Sequence, residues 1–261
     1  MSNFLSSDLL LKTLRCASLE EHLALTKPLS ENAVRPLSPE KLQEQICLSA
    51  GYSVFNALRG EGVAYSQLLF DAAETLKVEK LKSRYGKFYK ELSFSELDRL
   101  KSENTKEIPD NIRRIAVEAY VDDLERKLLA KLMSVTYESA TPEQRVAVDA
   151  KLAAFAKTAE GKNLSGLPTS AALLVIGNLG GFATYTLMST LLSAMSLGTL
   201  GFGTYTFASS LLSVVLGPAG WLMLGAYSAV KISGPNKGQV VRLAATCALV
   251  GQRLKEANRT V

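Results

Sequence analysis

The sequence is short of the groups on which most enzymes depend. It holds a single histidine, His22, among 261 residues, so a site built on two imidazoles is excluded and any histidine-based acid, base or triad must run through that one ring. Most hydrolytic and zinc chemistry is thereby set aside. Cys16, Cys47 and Cys247 are odd in number and far apart, which fits neither a disulfide framework nor a CxxC redox or metal site and points to a reducing compartment. The sharpest lack is of charge. No Asp, Glu, Lys, Arg or His occurs in the 68 residues from Asn163 to Val230.

That gap organises the chain. Residues 1–162 carry 24 basic and 24 acidic side chains, whereas residues 231–261 carry six basic and one acidic, so the whole net charge of +5 sits in the last segment. A generally basic, nucleic-acid-binding protein is not indicated. A balanced body, an uncharged stretch and then a basic segment match the charge pattern of a membrane boundary. Three regions follow: a charged helical domain over 1–162, a hydrophobic Gly/Ser/Thr-rich helical hairpin over 163–230, and a basic amphipathic tail over 231–261. The predicted class is all-α, a multi-helix bundle carrying that hairpin and a basic terminal helix.

Helix starts are legible in the body. Ser38-Pro39-Glu40 places a cap before a first-turn proline, Ser95 is followed by Asp98, and Thr141-Pro142-Glu143-Gln144 has capping-box spacing. Apolar stripes run through Leu42, Ile46, Ser49, Ser53 and Leu58, through Leu68, Leu69, Ala72, Ala73 and Leu76, and through Ile115, Ala119, Leu124, Leu128 and Leu132. Strand alternation is absent.

Within the uncharged stretch, residues 169–195 and 204–230 form two segments of 27 residues around a glycine-bearing connector that includes Gly198, Gly201 and Gly203. At about 1.5 Å per residue each would be roughly 40 Å long, enough to cross a hydrocarbon core of about 30 Å. Half of the 68 positions are Gly, Ala, Ser or Thr. Small residues such as Gly177 and Gly181, with Gly217 and Gly220 in the second segment, allow close helix packing and favour homo-oligomers. Pro218 would kink the second segment, Trp221 would sit at an interface, and Lys162, Lys231, Lys237 and Arg242 would anchor both ends on the cytoplasmic side. The alternative is a hairpin buried inside a soluble bundle. The tail, with Val240, Val241, Ala244, Ala248 and Leu254 on one side and Arg253, Lys255 and Arg259 elsewhere, reads either as a headgroup-binding helix or as an outer helix of that bundle.

No residues assemble into a catalytic, cofactor or metal site. Glu118, Asp122 and Glu125 share a helix face, but Arg126, Lys127 and Lys131 follow, which makes a solvated, salt-bridged face the expected outcome. Asp71 interrupts an apolar run and is read as a buried carboxylate with a structural basic partner such as Arg59. His22 is expected to be exposed or satisfied by a neighbour.

Ser7, Asp8 and Leu9 with Leu14 and Cys16, the block Asn56, Ala57, Leu58, Arg59, Gly60, Glu61 and Gly62 followed by Tyr65, Leu69 and Asp71, and Gly217 to Trp221 with Gly234 and Pro235 together resemble the YaaW-like family of uncharacterised bacterial proteins. That family is grouped by remote similarity with the ubiquinol-cytochrome c chaperones. The resemblance implies an all-helical bacterial protein and brings no catalytic residues with it. The combined expectation is a non-enzymatic, membrane-active protein that inserts its hairpin into the inner membrane, with lipids as partners. The rival is a chaperone or assembly factor holding membrane-protein clients through its helical body.

Overall fold

The structure is a computed structural model that describes residues 5–26, 29, 35–49, 63–78, 110–138, 140–158, 161–179 and 235–257. These form helices α1 (Leu5–Arg15), α2 (Leu19–Thr26), α3 (Pro39–Ser49), α4 (Tyr65–Thr75), α5 (Asp110–Glu138), α6 (Pro142–Phe155), α7 (Thr169–Leu179) and α8 (Pro235–Ala257), with one 3-10 turn at Lys162–Leu164. No strand occurs among the described residues. The all-α class therefore stands.

Local chemistry fixes several helix starts where the sequence places them. Ser38 Oγ accepts from the Lys41 amide at 3.4 Å, ahead of Pro39 at the start of α3. At α6 the Thr141 hydroxyl accepts from Gln144 N at 3.3 Å while Gln144 Oε1 accepts from Thr141 N at 2.8 Å, the reciprocal capping box. A second such box, Ser18 with Glu21, opens α2. It has a further use described below.

The centre of the bundle is α8. Every described side chain from Val240 to Gln252 is buried, and the helix packs against α4 and α5 with α1, α2 and α3 around it. A segment expected at the edge is thus the core element. The run Val240-Val241-Arg242-Leu243-Ala244-Ala245 onward is apolar nearly all round, and such a helix gains most when enclosed on every side. The α4 stripe from Leu68 to Leu76 is buried as its spacing predicts. On α5, Leu124, Leu128 and Leu132 are buried, but Ile115 is 63% exposed, because the inward line at that end runs through Val117, about 200° around the helix from Ile115.

The expected membrane hairpin requires correction. Among the described residues no helix is long and apolar enough to cross a membrane, and the apolar positions Ala172, Leu173 and Ile176 of α7 are buried in the protein, where α7 packs on α5. These side chains leave water by meeting another helix rather than lipid. The readings as a membrane-inserting protein and as a resident of the inner membrane with cytoplasmic termini are overturned by this finding. Gly177 lies in α7 and Lys162 is an exposed residue of the 3-10 turn. Lys237 and Arg242 fall in α8, with side chains outside the described residues. Gly181, Gly198, Gly201, Gly203, Gly217, Gly220, Trp221 and Lys231 lie outside the described residues, as do Ser95, Asp98, Arg59, Gly60 and Gly62.

Candidate functional site: a sealed charge network and an open cleft

Two polar assemblies stand out, and they differ in access to water. The first joins α4, α5 and α8. Glu125, only 3% exposed, accepts from Tyr65 Oη at 3.0 Å, Gln252 Nε2 at 2.9 Å and Lys255 Nζ at 2.8 Å. Gln252 and Lys255 also donate to Asp122 Oδ1, at 3.0 and 2.6 Å. The matching i, i+3 spacings, Asp122 with Glu125 and Gln252 with Lys255, place one pair opposite the other across the helix interface.

Burial alone would raise the Asp122 pKa, but Lys255, Gln252 and Arg126 together hold it below its ordinary value. Burial would lower the Lys255 pKa, and the two carboxylates instead raise it. Burial, then the neighbouring Glu125 charge, pushes the Tyr65 phenol well up, so it remains a donor at neutral pH. Gly251 completes the fit. A Cβ at that position would lie 3.0 Å from Glu125 Oε1 and 3.2 Å from Oε2, so a side chain there would require the hydrogen-bonded carboxylate to give way by a few tenths of an ångström.

A second ion pair ties α2 to the same helix. Arg253 donates Nε and Nη2 to the two oxygens of Glu21 at 2.8 Å each, and the Glu21 side chain is only 2% exposed. The same carboxylate closes the α2 capping box, so it serves a helix start and an interhelical contact at once. Of the cations expected to face headgroups, Arg253 and Lys255 thus have partners inside the molecule, while Arg259 lies outside the described residues.

The second assembly lies at the corner of α6, the 3-10 turn and α7. A cleft of about 330 Å³ opens there, floored by Leu152, Ala156, Leu164 and Ala172, with Asp149 and Lys157 among its lining. Backbone geometry shapes the turn below it. A Cβ on Gly161 would stand 2.0 Å from the Phe155 carbonyl oxygen, and Gly166 has φ +81°, a conformation that favours glycine. Asp149 Oδ1 accepts from Tyr137 Oη at 2.9 Å and Thr169 Oγ1 at 2.6 Å, which joins α5, α6 and α7 at the mouth of the cleft. The Arg145 guanidinium sits 5.7 Å from the Tyr137 ring centre and faces its electron-rich surface. Helix α6 itself is lightly held. It buries only Gln144, Val148 and Leu152.

The residues singled out by sequence fall unevenly between these assemblies. Tyr65, from the family-like block, contacts Glu125, while Asp71 is half-buried and accepts from Gln67 Nε2 at 2.6 Å. Burial lifts the Asp71 carboxyl to about 6, opposed by the Gln67 hydrogen bond and reinforced by Glu74. Glu118 pairs with Arg114 on the exposed face, as expected of that carboxylate, at 3.8 Å. Asp122 and Glu125 depart from the solvated face assigned to them, although Asp122 also keeps its helical partner Arg126 at 3.0 Å. His22 is satisfied by the Leu14 carbonyl at 2.7 Å. Cys16, Cys47 and Cys247 are free thiols. Among the described residues no group of three His, Cys, Asp or Glu side chains could hold a metal ion. Sequence reading missed Asp149, Tyr137 and Thr169, whose separations of 12 and 20 residues carry no local signal.

The chain is similar to a UPF0174 protein of Helicobacter pylori (strain J99 / ATCC 700824), with 24% identity over 223 residues that span 84% of this chain and 73% of that protein. No family model matches the sequence. No solved structure matches it either. The similarity supports kinship with an uncharacterised bacterial family; it supports neither the YaaW-like assignment nor the chaperone grouping.

Proposed function

We propose that the protein is a non-enzymatic helical interaction module that binds a protein partner through the α6–α7 corner. The observation that carries this reading is where apolar surface is left open. Five large hydrophobic side chains are exposed among the described residues, and three of them, Val146, Leu167 and Leu174, belong to this corner. Leu167 lines the cleft and Val146 and Leu174 stand exposed on the two helices that form it, and exposed apolar side chains near a cleft are a usual mark of a protein contact surface. The charged groups with buried carboxylates serve as supports: Glu125 and Glu21 are enclosed and hydrogen-bonded to neighbouring helices, which favours scaffolding over turnover.

Site-specific photo-crosslinking of the full chain in a bacterial host tests the proposal. A crosslinking residue at Val146 and one at Leu167 should each trap the same discrete protein, which after purification binds the purified chain. A crosslinker at exposed Glu44 on α3 should trap none of it. Absence of a product from both corner sites, or the same product from Glu44, would overturn the reading.

A further inference from the structure

The chemistry of the cleft narrows what it can receive. Asp149 lies on α6 and Lys157 in the turn that follows it, eight positions on, and both line the cleft; the helical steps from Asp149 to Phe155 alone span about 9 Å. Between them six apolar residues, Leu152, Ala153, Ala156, Leu164, Leu167 and Ala172, share the lining with Ser165, Gly166 and Thr169. The alanines leave width and the leucines supply contact area. The Asp149 carboxylate is also held in place. Two hydroxyls from different helices converge on its Oδ1, which fixes the plane of the group and leaves Oδ2 to meet an incoming donor.

We infer that the cleft seats an extended apolar segment of the partner protein bearing a cationic side chain at the Asp149 end and a carboxylate at the Lys157 end, an inference that rests on the interaction-module reading above. An extended chain advances about 3.3 to 3.6 Å per residue, so the two charges of that segment stand three or four residues apart. The opposed charges set its direction and register in the cleft. The apolar middle supplies contact area that water gives up.

Four labelled peptides test this against the full chain by fluorescence anisotropy: acetylated and amidated Arg-Ala-Leu-Ala-Glu, Gln-Ala-Leu-Ala-Gln, Arg-Ala-Leu-Ala-Arg and Glu-Ala-Leu-Ala-Glu. The Arg/Glu peptide should bind at least tenfold more tightly than the Gln/Gln peptide. In an Asp149→Lys variant, whose exposed position lets it fold as the parent does by circular dichroism, the preference should pass to the Glu/Glu peptide. Equal binding of all four, or an unchanged preference in that variant, would overturn the inference. If the peptides fail in this way while Val146 and Leu167 still crosslink one partner, the interaction reading stands and the occupant is wrong. A crosslinked product of two copies of this chain would also reject the segment proposed here.

Discussion

Glu125 and Asp149 are both carboxylates with tyrosine and side-chain donors, yet they do opposite things for the molecule. Glu125 is enclosed, and its three donors come from two other helices. Asp149 stands in water at the mouth of a cleft with both hydroxyl donors on one oxygen. A low-dielectric site makes each partner of Glu125 necessary, because an unmatched buried charge is costly, while solvent screens Asp149 and spares it for an external partner. The same chemical group is a structural lock in one place and a free hand in the other.

The largest effect should come from removing the enclosed carboxylate. Glu125→Ala removes the acceptor of the buried Tyr65 hydroxyl, takes away one of the two carboxylates that hold Gln252 and Lys255, and opens a void, and should lower unfolding free energy by about 3 to 5 kcal/mol in urea titration. Arg253→Ala should come next, at about 3 kcal/mol, since it strands the buried Glu21. A loss under about 1 kcal/mol for either variant would show that the network is not the lock described. Gly251→Ala tests the close approach directly: about 1 to 3 kcal/mol should be lost. Most of that loss should disappear in a background where Glu125 is already Ala, because the clash is with its side chain.

Asp71 sharpens the contrast through pH. Its folded pKa, about 6, lies above the ordinary 3.8, so its charged form costs stability: the chain is relatively more stable below the unfolded pKa and loses that advantage as pH rises through about 6. Asp71→Asn should therefore stabilise the protein at pH 7 by about 1 kcal/mol, after allowance for partial exposure, with the gain vanishing below about pH 4. Thermal scans at both values read the difference. The Asp122 group has the reverse sign: its depressed pKa adds stability above the ordinary carboxyl range and loses it as pH falls through the lowered value. The smallest effect is expected at the open corner, where Asp149→Asn should change stability by less than about 1 kcal/mol in the same titration. A larger loss there would erase the distinction between lock and cleft.

Local physics was legible in the sequence, and long-range pairing was not. The Thr141 capping box, the Ser38 start and the Leu68 to Leu76 stripe depend on residues within a few positions of one another, and each is present as read. The charge gap misled because hydropathy cannot distinguish burial in lipid from burial in protein, and α7 meets α5. The position of α8 was open to inference from its nearly uninterrupted apolar run after Gln239, but the basic residues flanking that run drew attention to headgroups. Glu125 was hidden for another reason. Its nearest cations in sequence suggest a solvated helix face, while its actual partner Lys255 lies 130 residues away.

The close contact between Gly251 and Glu125 also constrains how this sequence can drift. A methyl group gained at position 251 while the acid remains meets the carboxylate at 3.0 Å, whereas loss of the acid first strands the Tyr65 hydroxyl but leaves room for the methyl. The two positions should therefore change as a linked pair across descendants, in a preferred order, and an aligned set of relatives would show small residues at 251 wherever the acid at 125 persists.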